Sequence, residues 1–224
     1  SIFLSSRHKL IIVTDVQYFT ELYSNPRAQG VAWERPASVE LIYPQGDRQG
    51  FQINAGLRIQ GHASRRENMP KHSFRLLFKH QYGATKLTYP LFPDSPVERF
   101  DTVVLRGGAD RNFAGWTKSG FDYKLTTYAR DERVRASQIE MSGTGSHGIF
   151  VHLYLDGLYW GLYNIVERPD ASFMSSYFGG QKEDWYVRNH SGSISGADDR
   201  IKSLEQELTR LGGLDNLDGV EKYT

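Results

Sequence analysis

Residues 149–170, IFVHLYLDGLYWGLYNIVERPD, constrain the fold more than any other stretch. Two apolar-aromatic runs flank Asp156-Gly157, and a two-residue Asp-Gly between such runs predicts a β-hairpin with a type I′ turn. Alternation sets Val151, Leu153 and Leu155 on one face of the first strand, with His152 and Tyr154 on the other. In the second strand it groups Trp160, Leu162 and Val166 against Tyr159, Tyr163 and Ile165. Both faces are largely apolar, which predicts a central hairpin covered on both sides. Gly161, between aromatics, predicts close approach of a ring, backbone or ligand. Pro169 has no amide for a ladder and ends the strand at Glu167-Arg168-Pro169-Asp170.

Before this hairpin the chain reads mostly as strands. They are expected at 9–14, at about 38–43, in FQINAGLRIQG after the turn cluster 44–50, at 71–79 and at 101–108. Residues 15–30 read as turns, and Asn54 and Gly56 as a bulge. YPLFPDSPVERF reads as an extended connection. A helical signal covers 123–142, through Leu125, Tyr128, Val134, Ile139 and Met141, and stops at Gly143. After the hairpin come a capped short helix in DASFMSSYFGG, a short strand in DWYVRN and a flexible loop in SGSISGADD. An amphipathic helix at 198–211 then carries Ile201, Leu204, Leu208 and Leu211 on one face, with Gly212-Gly213 as its stop.

The bulk numbers exclude several classes. A net charge of +1 lacks the basic excess of a nucleic-acid or membrane-surface binder. No apolar run reaches the length of a membrane span. Without Cys there is no disulfide framework, thiolate metal site or Cys nucleophile. The absence of Cys fits an extracytoplasmic protein, secreted or on the cell surface. The chain starts without Met and reads as a piece of something longer.

The chemistry-bearing residues lie in three places. Residues 57–79 read as strand, Gly-containing polar loop, strand, with Gly61, Ser64, Arg65, Arg66 and Lys71 in the loop. Backbone amides near a glycine, a hydroxyl and a cation are what hold phosphate oxygens; an exposed hairpin loop with solvated charges uses the same residue types. Arg106 ends the apolar run VVLR and needs an anionic partner or solvent. The helix 128–141 brings Arg130, Asp131, Glu132, Arg133, Arg135 and Glu140, mostly as a solvated face; spacing allows one inward carboxylate to face Arg106 but does not select which. The His residues have no metal-ligand spacing. Asp198-Asp199 read as a helix cap, and the acidic residues at 183–184 and 215–218 as surface. There is no nucleophile elbow, Walker loop or Rossmann glycine triplet.

Together, GLRIQGHASR, PKHSFRLLF, LFPDSPVERFDTVVLRGG, ARDERVRASQIEMSG and GIFVHLYLDGLYWGLYNIVERPDASFMSSYFGG resemble the CotH kinase family, atypical protein kinases named after a spore-coat protein. YLDGLYWGLYNIVERPD is the most specific stretch, and the likeness is to the bacterial, secreted or surface, multidomain members. The resemblance implies an α+β, protein-kinase-like fold: a β-rich N-lobe with one helix over 1–167, then a linker and an incomplete helical C-lobe over 168–224. It implies ATP and Mg (or Mn) as cofactors and transfer to Ser/Thr of a protein substrate. It places Gly61, Ser64 and Lys71 near the phosphates. Arg106 becomes the phosphate cation, where other kinases carry Lys, with Asp131 as its helix partner. Glu167 marks the linker beside the adenine. The Asp motifs of the family, which hold metal and orient the nucleophile, are not found in this chain and are expected beyond residue 224, so no catalytic residue is assigned within it. The alternatives are a non-catalytic surface or binding module and a nucleotide-binding pseudokinase.

Overall fold

The computed structural model describes residues 8–108, 127–189, 192–196 and 198–210. Leu125, Leu211, Gly212-Gly213 and the acidic residues at 215–218 lie outside them. The chain is α+β and divides into two compact units, Ser1–Arg168 and Pro169–Thr224.

The first unit is a closed seven-stranded barrel in the order β1-β2-β3-β4-β7-β9-β8. Its strands are β1 (Lys9–Val13), β2 (Arg35–Ile42), β3 (Phe51–Gln60), β4 (Ser73–Leu77), β7 (Thr102–Arg106), β8 (Gly148–Leu155) and β9 (Leu158–Glu167). The connection between β4 and β7 holds a two-residue pair, β5 (Leu87–Thr88) with β6 (Arg99–Phe100). β1 closes the barrel by pairing antiparallel with β2 and parallel with β8, so neither long edge is left open. Alternation fills the interior with Leu10, Ile12, Val39, Leu41, Leu57, Phe74, Leu76, Leu105, Val151 and Leu153, each essentially without exposure. Burial of each such side chain stabilises the fold by about 1.5–3 kcal/mol.

The hairpin β8–β9 turns at Asp156 (φ 48°) and Gly157 (φ 82°), both left-handed as a type I′ turn requires. Its register runs Val151 to Tyr163 and Leu153 to Gly161, then Tyr154 to Tyr159, so Trp160 is an extra residue in β9. A one-residue insertion inverts the faces. Tyr163 and Ile165 therefore point into the barrel, while Tyr159 lies outside beside Tyr154 and is 55% exposed. The expectation that all three share a face is corrected by this bulge. The expected bulge at Asn54 and Gly56 is absent, since the β2–β3 register is unbroken from Leu57 to Phe51. Gly56 instead leaves room for the ring of Tyr82.

Residues 16–24, expected to be turns, form helix α1 (Val16–Ser24). Asp15 caps it, accepting from the Gln17 amide at 2.7 Å. Phe19, Leu22 and Tyr23 face the barrel: Leu22 is buried, and Phe19 and Tyr23 stand edge-on to Trp160. Trp160 Nε1 donates to Tyr23 Oη at 2.9 Å.

Helix α2 (Arg130–Ser142) has its expected left-handed stop at Gly143. It begins after Tyr128, and it buries no residue; Val134 is 63% and Met141 88% exposed. Polar contacts join it to the barrel instead. Arg135 Nη2 donates to Asn164 Oδ1 and to Glu132 Oε2, each at 2.5 Å.

The second unit holds α3 (Ala171–Phe178), α4 (Asp198–Arg210), and the strands β10 (Val187–Asn189) and β11 (Gly192–Ser195). Asp170 caps α3 through the amides of Ser172 and Phe173. The stretch expected as a flexible loop supplies β11, which completes its ladder against β10. No helix among the described residues is long and apolar enough to cross a membrane.

Candidate functional site

Lys71 ends the polar loop just ahead of β4. Its Nζ donates to the Leu162 carbonyl at 2.6 Å and to Tyr128 Oη at 2.5 Å. It lies 4.4 Å from the ring centre of Tyr163 and 4.8 Å from that of Tyr128. β9 makes the space. Gly161 follows the Trp160 bulge at φ 110°, and a Cβ there would lie 3.4 Å from Lys71 Nζ. The gap between aromatics in the sequence thus accommodates a lysine ammonium.

Lys71 is the chemically unusual group. No carboxylate among the described residues pairs with it, and burial lowers its pKa to about 8. A half-buried ammonium satisfied by one carbonyl, one phenol and two ring faces is primed to gain from an anion.

Tyr128 sits at φ 59°, immediately ahead of α2. Its hydroxyl oxygen is 3.0 Å from the Gly107 carbonyl and also contacts the Leu162 carbonyl. Burial raises its pKa, so it stays a neutral phenol. It therefore donates to a carbonyl and accepts from Lys71. Nearby, Tyr163 Oη donates to the His72 carbonyl at 2.9 Å, and the Gly107 amide to Ser73 Oγ at 2.9 Å. The starts of β4 and α2, the end of β7 and the middle of β9 thus meet around Lys71.

The loop itself is internally braced. Arg65 is only 6% exposed and donates to the carbonyls of Gly61 at 2.7 Å, Ala28 at 2.6 Å and Ile59 at 2.5 Å. Its cation is consumed in holding backbone. His72 is buried, with Nδ1 2.9 Å from the Ser64 carbonyl. Ser64 Oγ folds back toward the Gln60 carbonyl, 3.5 Å away, and fills the place of a Cβ on Gly61, which has φ 126°.

Arg106, the last residue of β7, points outward and is ion-paired with Asp131 in the first turn of α2. Both side chains are about half exposed. Glu167 ends β9 with its carboxylate buried, accepting from the His147 amide at 2.8 Å and lying 3.0 Å from His147 Nδ1. Of the six residues singled out in the sequence, Lys71 lies at the Tyr128–Leu162 cluster. Gly61 and Ser64 shape its loop, Arg106 and Asp131 form a separate surface pair, and Glu167 is held by His147.

Sequence reasoning missed Tyr128 and Tyr163, whose contact with Lys71 arises only when four elements converge. The side-chain gap at Gly161 was the one signal that pointed there. Among the described residues no three of His, Asp or Glu gather as a metal-ligand set.

The family model described as CotH kinase protein matches residues 57–213, more than half of the chain. The chain belongs to the CotH kinase family. The match begins in β3, just before the Lys71 loop, and runs through the hairpin into the second unit. No curated protein matches the chain.

Proposed function

We propose that the chain is the nucleotide-binding part of a CotH-type atypical kinase, which passes the terminal phosphoryl group of ATP to Ser or Thr of secreted or surface proteins. The observation that supports it most is Lys71, a cation with no carboxylate partner among the described residues, held where loop and strands converge. ATP, carried with Mg or Mn, supplies the phosphoryl group. Lys71 binds its phosphate oxygens, and the braced loop around Gly61 and Ser64 lies over them. Arg106 is the second phosphate cation, once it exchanges Asp131 for phosphate; Arg keeps its charge and offers a bidentate grip. With its carboxylate committed to His147, Glu167 contributes the end of β9 beside the adenine rather than a free acid.

A non-catalytic surface module is the second reading, favoured by one observation. At the hairpin tip Leu158 is 66% and Tyr159 55% exposed, with Tyr154 5.3 Å from Tyr159. The test is phosphoryl transfer from labelled ATP by the natural full-length protein with Mg or Mn, beside its Lys71→Met variant. Transfer to Ser or Thr that is lost in a folded Lys71→Met variant is the expected result. A folded full-length protein that neither binds ATP nor transfers phosphate overturns the kinase reading and leaves the module.

A further inference from the structure

Two non-glycine residues among the described ones have positive φ, Asp156 and Tyr128. Asp156 is at home in its hairpin turn. Tyr128 is not: a bulky aromatic residue in the left-handed region persists only where its surroundings hold it there. Its hydroxyl lies in a cluster with Lys71 Nζ, the Gly107 carbonyl and the Leu162 carbonyl, and its ring is near Phe150. The ring also faces the same ammonium.

The element that carries Tyr128 is lightly attached. Helix α2 starts two residues later, buries no side chain, and is joined to the barrel through Arg135–Asn164 and Arg106–Asp131. A shift of its first turn would expose little apolar surface. On Lys71 the phenol oxygen fills the place of an acceptor. A neutral oxygen is the weaker partner there, since an anionic oxygen adds the attraction of opposite charges to the hydrogen bond.

We infer that Tyr128 is a latch on Lys71. Its phenol oxygen is an internal acceptor that holds the ammonium and is exchanged for an oxygen of an anionic ligand, while the backbone at residue 128 relaxes out of the left-handed region. That the anion is a nucleotide phosphate rests on the function proposed above; the latch itself does not. A fixed positioning role for Tyr128 also predicts faster labelling of a loosened Lys71 but weaker anion binding, so the pyrophosphate response separates the two.

The experiment is acetylation of Lys71 by acetic anhydride, read by peptide mass spectrometry, in the unaltered chain and in Tyr128→Phe and Tyr128→Asn. Each protein is labelled with and without inorganic pyrophosphate, after circular dichroism has shown it folded. Phe keeps the ring and removes the hydroxyl; Asn accepts left-handed backbone readily. Loss of one hydrogen bond to the ammonium is expected to raise the labelling rate by about tenfold in both variants. Pyrophosphate is expected to protect Lys71, and to do so at lower concentration in Tyr128→Phe. Labelling at the unaltered rate or slower in both variants overturns the latch. Faster labelling with protection that needs more pyrophosphate in Tyr128→Phe than in the unaltered chain overturns the latch, and no protection in any of the three proteins overturns the phosphate reading and the exchange with it.

Discussion

Lys71 Nζ lies 3.4 Å from the point where a Cβ on Gly161 would stand. A glycine of β9 and a lysine of the loop before β4 thus define one space. Gly161→Ala adds a methyl group at φ 110° and presses it toward the ammonium. The variant is expected to lose about 1–3 kcal/mol of stability, measured by urea unfolding, with Lys71 more mobile by NMR.

Lys71 also sets a pH dependence. Burial lowers its pKa from the ordinary 10.5 to about 8, so between these values the unfolded chain binds more protons than the folded one, and stability rises with pH. Below pH 8 the buried charge costs its full penalty, at most about 3 kcal/mol. Lys71→Met removes that penalty. The variant is expected to be the more stable protein at pH 7, with its advantage shrinking from pH 8 to 10.5. Parallel urea melts across that range check this, and an advantage that grows with pH contradicts it.

Glu34 is a contrasting buried charge. Its carboxylate, 1% exposed, accepts from Lys79 Nζ at 2.7 Å and from Arg58 at 3.3 Å, with Tyr82 Oη at 3.3 Å. Glu34→Ala strands both cations. Removing one partner of a buried pair costs about 3–5 kcal/mol, and partial exposure of Lys79 and Arg58 brings the expected loss down to about 2–3 kcal/mol. Denaturant unfolding of the single and double variants with Lys79→Met reads it.

Arg106→Ala separates two roles. The Arg106–Asp131 pair is half exposed, so its loss is expected to change stability by less than about 1 kcal/mol. Under the nucleotide reading ATP affinity falls nonetheless, by about tenfold for one charge-assisted contact. A folded Arg106→Ala variant with unchanged ATP affinity removes Arg106 from the site.

The strands and the central hairpin were legible because period-two patterns and the Asp156-Gly157 turn are local signals. Helix α1 was missed although Asp15 caps it and Phe19, Leu22 and Tyr23 recur at helical spacing, since its short length resembled turns. The inward swing of Tyr163 was hidden by a bulge at Trp160, a property of two paired strands rather than of one. The helical signal at α2 drew on Val134 and Met141, which are exposed, and it did not show that Arg135 makes the attachment. Gly161 and Lys71 were each singled out from sequence. Their proximity, and the part of Tyr128 in it, depended on long-range convergence that spacing does not encode.

The most direct measurement is calorimetric titration of ATP with Mg into this chain and into Lys71→Met, both shown to be folded. Saturable binding to the unaltered chain, weakened by tenfold or more in a Lys71→Met variant at least as stable, is the predicted result. Equal affinity in the two proteins, or no binding to either, would contradict the assignment of Lys71 as the phosphate cation.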